Sequence, residues 1–166
     1  MKNLYIDFDG VVLDTITVSY ELLEQASINK DDVERIREFY KKLDWQKILE
    51  ETPIINDSIN GIKKIIKSSK YDVSILTHVL SLEEAEEKIK FIRKYLPSIT
   101  IIPCPRNIKK SDIVNAKDAI LIDDYSGNLN EWKASGGIPI RFSVTMDDKG
   151  FICIDKLEKI LDLKIY

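Results

Sequence analysis

The chain has 166 residues, 44% hydrophobic and 32% charged, enough for one buried core and too short for several domains. With 25 Lys and Arg against 28 Asp and Glu, its net charge of −3 argues against a polyanion-binding surface, and so against a nucleic acid polymer as partner. No apolar stretch reaches the length of a membrane span, and "MKNLYIDFD" is broken by Asp7 before it can form a signal-peptide core, so a soluble cytoplasmic protein is expected.

The first run, "LYIDF" at 4–8, is nearly continuous in apolar residues, as in a strand buried on both faces. Residues 16–56 follow with helical spacing (Tyr20 and Leu23, then Val33, Ile36, Tyr40 and Leu43) and no strand pattern. One crossover helix needs far less chain, which predicts a small helical insertion over 16–56 in a core made of 1–15 and 57–166. Its aromatics Tyr20, Phe39, Tyr40 and Trp45 suit either a small core of the insertion or stacking on a planar ligand. In "DSINGIKKIIKSS", Ile59, Ile62 and Ile66 form a stripe behind Asp57, and "YDVSILT" at 71–77 reads as the next strand.

"SLEEAEEKIKFIRKYL" predicts an amphipathic helix with Leu82, Ala85, Ile89, Ile92 and Leu96 inward. Ser81 and Glu84 have capping-box spacing. Glu84–Lys88 and Glu86–Lys90 are favourable i,i+4 pairs, and the charge run reads as a solvated face without function. Three more strands are expected at "SITIIPC" (98–104), "DAILID" (118–123) and "IPIRFSV" (138–144). A helix over "NLNEWKASGG", with Trp132 in the core, stops at Gly136–Gly137. The remainder reads as a turn, a short strand and a closing helix. Cys104 and Cys153 lack a C-x-x-C spacing or a His cluster, so both are expected to be unpaired and buried as small hydrophobes. Strands alternating with helices predict an α/β fold, a Rossmann-like parallel sheet of about five strands flanked by helices.

Ligands of such sheets bind beyond the carboxyl ends of the strands. The first strand delivers Asp7, Asp9 and Gly10; the second delivers Thr77 and His78, the only histidine; the fourth delivers Asp123 and Asp124. The loop after the third carries Lys109 and Lys110. Oxygen ligands of this kind suit a hard cation such as Mg2+, and an adjacent lysine and hydroxyl suit a phosphate. An Asp can act as a nucleophile through an aspartyl-phosphate. Asp14, ahead of a helical pattern, is expected to cap it.

"DFDGVVLDT", "ILTH", "IKKSD" and "LIDDYSGNL" resemble, in order, the four motifs of the haloacid dehalogenase-like hydrolase superfamily. The fourth stretch and the small insertion, placed where that superfamily carries its cap, are most similar to the 5′(3′)-deoxyribonucleotidase branch. The resemblance implies a Mg2+-dependent phosphatase with Asp7 as nucleophile and Asp9 as general acid/base, the Asp9 carbonyl also facing the metal. It implies phosphate contacts from Thr77 and a lysine, Lys110 fitting better than Lys109, with Gly10 and His78 beside the substrate. Asp123 and Asp124 would complete the metal site with Asp7. The acid often found some four residues past the first fourth-motif Asp is missing, leaving Asp124 or Asn128 in its place, and His78 stands where a small hydroxyl residue is common. The substrate implied is a nucleoside monophosphate; a sugar phosphate or other small metabolite is the alternative within the fold. A binding module without catalysis is the rival of another class, against which both Asp7 and Asp9 are present.

Overall fold

The computed structural model describes residues 1–165. Six parallel strands form one sheet: β1 (Lys2–Ile6), β2 (Tyr71–Val79), β3 (Thr100–Pro105), β4 (Ile120–Asp123), β5 (Ile138–Phe142) and β6 (Ile152–Ile154). Their spatial order is β3-β2-β1-β4-β5-β6. The chain builds one half of the sheet outward from β1, then returns to β4 and builds the other half. The order therefore reverses between β1 and β4, which register Leu4 opposite Ile120 and Ile6 opposite Ile122. A crevice is expected at the carboxyl ends of these two strands.

The sixth strand is the short one of the tail, which pairs with β5 through Ile140–Ile152 and Phe142–Ile154. The closing helix is a 3-10 helix over Leu157–Asp162. Strand ends differ from expectation by a residue or two; β1 stops at Ile6, so Asp7 and Phe8 lie just beyond it.

The helices are α1 (Thr15–Gln25), α2 (Val33–Lys41), α3 (Trp45–Glu51), α4 (Ser58–Ser68), α5 (Leu82–Tyr95), the single turn α6 (Lys110–Ile113) and α7 (Ser126–Ala134). Strand alternation sorts the core into two faces. Leu4 and Ile6 of β1 face α3, α4, α5 and the 3-10 helix, through Trp45, Ile48, Leu49, Ile59, Ile62, Ile65 and Ile92 among others. Tyr5 points the other way, with Leu121, Leu129 and Trp132. Trp132 donates its indole N–H to the Ala119 carbonyl at 3.0 Å and meets Tyr5 edge-on. In α4 the inward third position is Ile65; Ile66 is exposed, because α4 turns one residue earlier than the sequence stripe assumed.

Within 16–56, α3 shares the main core, whereas α2 buries no residue and α1 buries only Thr15 and Leu23. Asp14 occupies the cap position of α1, but its side chain makes no cap bond. Both cysteines are free; Cys104 is buried as expected, whereas Cys153 is only half-buried because it lies on β6, the edge strand of the sheet. No helix among the described residues is long and apolar enough to cross a membrane.

Candidate active site

Asp7 leaves β1 while its N–H still bonds the Ile122 carbonyl at 2.9 Å, so the β1–β4 ladder fixes its direction. The chain then tightens into one turn: the N–H groups of Val11, Val12 and Leu13 all converge on the Phe8 carbonyl. Gly10 makes this possible with a φ of +74°, and a Cβ there would collide with Asp124 Oδ2. Across the crevice, Asp123 ends β4. Carboxylate oxygens of Asp7, Asp123 and Asp124 lie within 4.8 Å of one another.

Lys110 closes this group. Its Nζ is 2.7 Å from Asp7 Oδ1 and 2.7 Å from Asp123 Oδ2, with all three side chains buried. Lys109, its neighbour, is exposed, so the lysine that faces the crevice is Lys110. Asp123 also accepts from the Tyr125 N–H at 2.9 Å and from Asn128 Nδ2 at 2.9 Å. Asn128 thus acts as a donor to Asp123, while Asp124 is the residue that joins the carboxylate group. Arg141 on β5 donates to the Asp124 carbonyl at 2.7 Å and to Ser126 Oγ at 3.1 Å, pinning the loop that presents Asp124.

One lysine does not neutralise three acids. Burial, reinforced by the Asp123 and Asp9 charges, pushes Asp7 up to about 7 against the pull of Lys110. Burial and the charges of Asp7, Asp123 and Asp9 push Asp124 up to about 8. Crowded carboxyl oxygens with unmet negative charge are the donor set a hard divalent cation takes, and the residues present fit Mg2+.

Asp9 is turned away from this cluster. Its Oδ1 accepts from the Thr15 hydroxyl at 2.7 Å, and its Oδ2 from Lys88 Nζ at 2.6 Å. Burial alone would raise its pKa, but the Lys88 ammonium and the hydrogen bonds from Lys88 and Thr15 hold it below the usual carboxylate range. The Thr77 hydroxyl, fully buried on β2, lies 3.5 Å from Asp9 Oδ2 and 3.3 Å from the His78 carbonyl. His78 Nε2 lies 2.9 Å from the Ile108 carbonyl and so carries the proton it donates. Burial lowers the His78 pKa, which keeps the ring neutral. The sequence candidates therefore form two adjoining groups, Asp7–Asp123–Asp124–Lys110 and Asp9–Thr77, with Gly10 between them and His78 tied to the loop after β3.

Lys88 and Glu84 were not among the expected site residues. Both are buried on α5, Lys88 fully, and they pair at 2.7 Å. The charge run is therefore not wholly a solvated face; one of its two predicted pairs points into the site. Ser81 caps α5 by accepting the Glu84 N–H at 3.1 Å, but Glu84 Oε2 takes the Leu80 N–H at 2.8 Å instead of the capping residue's own. The signal available in the sequence was phase: Glu84 and Lys88 share the side of α5 that carries Ala85 and Ile92, whereas Glu86 and Lys90 do not.

No protein-family model matches the sequence, and no curated protein matches it either. Solved structures do match over nearly the whole chain. A hydrolase from Pseudomonas syringae is 11% identical with a TM-score of 0.66, covering 98% of this chain and 97% of its own. A haloacid dehalogenase-like family hydrolase, SP0104 from Streptococcus pneumoniae, is 13% identical with a TM-score of 0.64 over the same shares of both chains. This chain has the haloacid dehalogenase-like fold. A D,D-heptose 1.7-bisphosphate phosphatase from B. bronchiseptica, solved with magnesium and phosphate, is also similar (14% identity, TM-score 0.61, 98% and 97% covered). At such identities the likeness speaks for the fold, and the chemistry has to come from the side chains.

Proposed function

We propose that this protein hydrolyses phosphate monoesters through an aspartyl-phosphate on Asp7, with nucleoside monophosphates as its substrates. The observation that carries this reading is Asp7 itself: a carboxylate at the strand-order reversal, 2.7 Å from a buried lysine and grouped with two further acids. In the reaction, an Asp7 oxygen bonds to phosphorus as the bond to the leaving oxygen breaks, and Asp9 gives that oxygen a proton. Asp9 then takes a proton from water, the water oxygen bonds to phosphorus, and the Asp7 carboxylate is released with inorganic phosphate. Lys110 and Thr77 would hold phosphoryl oxygens. Asp7, Asp123, Asp124 and the Asp9 carbonyl would hold Mg2+, which, when bound, offsets the repulsion between a carboxylate and a phosphate dianion.

Although burial opposes it, the Lys88 ammonium and the hydrogen bonds from Lys88 and Thr15 hold Asp9 below the usual carboxylate range, so Asp9 rests ionised and is short of the proton that a leaving oxygen needs. Aryl phosphates, whose leaving oxygen needs no proton, are therefore expected to turn over faster than alkyl esters. The insertion 16–56 is read as a small cap, with exposed α1 and α2 over the strand ends and α3 as its root in the core. Tyr40 of α2 fits this: burial pushes its phenol up, and the nearby Arg106 of the loop after β3 pulls the other way. Tyr20 is exposed, with Lys30 Nζ 5.9 Å from its ring centroid, and would offer the other face to a base, whereas Trp45 is committed to the core.

A second reading keeps the chemistry and takes a sugar phosphate as substrate, favoured by the likeness to the heptose bisphosphate phosphatase. Hydrolysis of 4-nitrophenyl phosphate with Mg2+ and with chelator tests the reaction, and a panel of nucleoside monophosphates and sugar phosphates tests the substrate. Absence of Mg2+-dependent turnover on every member would end the phosphatase reading. A clear preference for sugar phosphates would replace the nucleotide.

A further inference from the structure

Lys88 is a charged residue with no access to water. Its ammonium meets Asp9 Oδ2 at 2.6 Å, Glu84 Oε1 at 2.7 Å, the His78 carbonyl at 3.1 Å and Thr77 Oγ1 at 3.3 Å. The rings of Trp45 and Phe8 roof it, with centroids 5.3 and 5.5 Å from Nζ. A buried ammonium is costly unless fully paired, and an apolar side chain of similar length would suit an aromatic roof as well. What an apolar side chain could not supply is a directed contact with Asp9. That carboxylate is held at both oxygens, Oδ1 by Thr15 and Oδ2 by Lys88, which fixes its plane. Glu84 is fixed in turn by the Leu80 N–H at 2.8 Å, so the backbone at the start of α5 anchors the lysine.

We propose that Lys88, braced by Glu84, is a positioning residue that sets the direction in which Asp9 presents its carboxylate to the reacting oxygens. The proposal rests on the phosphatase reading for its kinetic consequence, and on the Lys88–Asp9 contact alone for its structural one. Lys88 touches no substrate; it lies beneath Thr77 and Asp9 and acts through Asp9. Trp45 contributes by shutting water out above Nζ, which ties α3, the buried part of the 16–56 segment, to the site.

The kinetic test uses 4-nitrophenyl phosphate with saturating Mg2+. Lys88→Met should lower kcat by about 10²-fold, the scale of a misaligned proton-transfer group, while KM stays within about twofold. In an Asp9→Asn background, adding Lys88→Met should lower kcat no further. A raised KM with unchanged kcat would overturn the proposal, as would an equal kcat loss in both backgrounds. Should Lys88→Met fail to fold, Lys88→Gln, which keeps a polar group of shorter reach, carries the same expectation and the same refutation.

Thermal unfolding without substrate or metal gives a readout that does not need activity. The Asp9→Asn/Lys88→Met double variant should lose less Tm than the two single losses added together. Additive losses would overturn the contact itself. A wild-type protein without phosphatase activity but with non-additive Tm losses would refute the function proposed above and leave the contact standing.

Discussion

Helix α5 carries two Glu–Lys pairs of identical spacing, and they meet opposite fates. Glu86 and Lys90 pair at 2.9 Å with both side chains more than half exposed. Glu84 and Lys88 pair at 2.7 Å with almost no exposure, and the lysine passes its charge on to Asp9. Nothing in the composition of the two pairs separates them; two residues of helical phase do. The solvated pair is screened and contributes little, whereas the buried one exists only because each partner compensates the other's lost hydration.

The largest effect expected from this contrast is on stability. Glu84→Ala leaves Lys88 buried with one carboxylate instead of two and should cost about 3–5 kcal/mol, measured by denaturant unfolding. A loss no greater than that of Glu86→Ala would erase the distinction between the two faces.

The contrast extends to the other buried lysine. Lys88 serves two carboxylates and holds Asp9 low, while Lys110 is outnumbered by Asp7, Asp123 and Asp124. The two groups should respond to pH with opposite signs. Asp7 and Asp124, raised to about 7 and about 8, bind protons more tightly folded than unfolded, where carboxyls titrate at about 4. The stability they give is complete below about pH 4 and is lost as pH rises through those two values. Asp9, whose folded pKa is depressed, gives stability that is present above about pH 4 and is lost as pH falls through its folded value. On the proposed function a divalent cation would offset the repulsion in the Lys110 group, so Mg2+ should raise the Tm by several degrees at pH 8 and much less at pH 5. Equal shifts at both pH values would argue against binding at these acids.

A smaller effect should come from Gly10→Ala. The positive φ carries strain of order 1–3 kcal/mol, and the new methyl would press on Asp124. Folding should survive while the Mg2+-induced Tm shift at pH 8 shrinks; an undiminished shift would remove Asp124 from the proposed cation site. The smallest is Lys90→Ala, expected within about 0.5 kcal/mol of wild type by the same denaturant measurement, because the Lys90 side chain itself is more than half exposed.

Much of the candidate site's layout was legible because strand ends are legible. An apolar run that stops at Asp7, or at Asp123, states both the strand and the acid that leaves it. A parallel sheet then gathers every such end on one edge, since right-handed crossovers return each strand in the same direction. The turn after β1, which needs a φ of +74° at Gly10, is marked in the sequence only by that glycine. Less legible were residues whose local signal had a cheaper explanation. Asp14 sits where a cap belongs yet makes no cap bond, and the neighbouring Thr15 turns out to hold Asp9. Asn128 stands near a position where an acid is common and serves instead as a donor to Asp123. Trp45 looked like part of a separate small core but packs into the main one.

The sequence by itself determined the alternation of strands and helices and the acids at the strand ends, because each is written in local periodicity and turn chemistry. The tertiary structure alone decided which lysine of Lys109 and Lys110 enters the crevice, and that Lys88 is sealed against Asp9. Those outcomes depend on what packs over a side chain, and burial converts an ordinary surface pair into a fixed counter-charge only when α3 and β2 close around it.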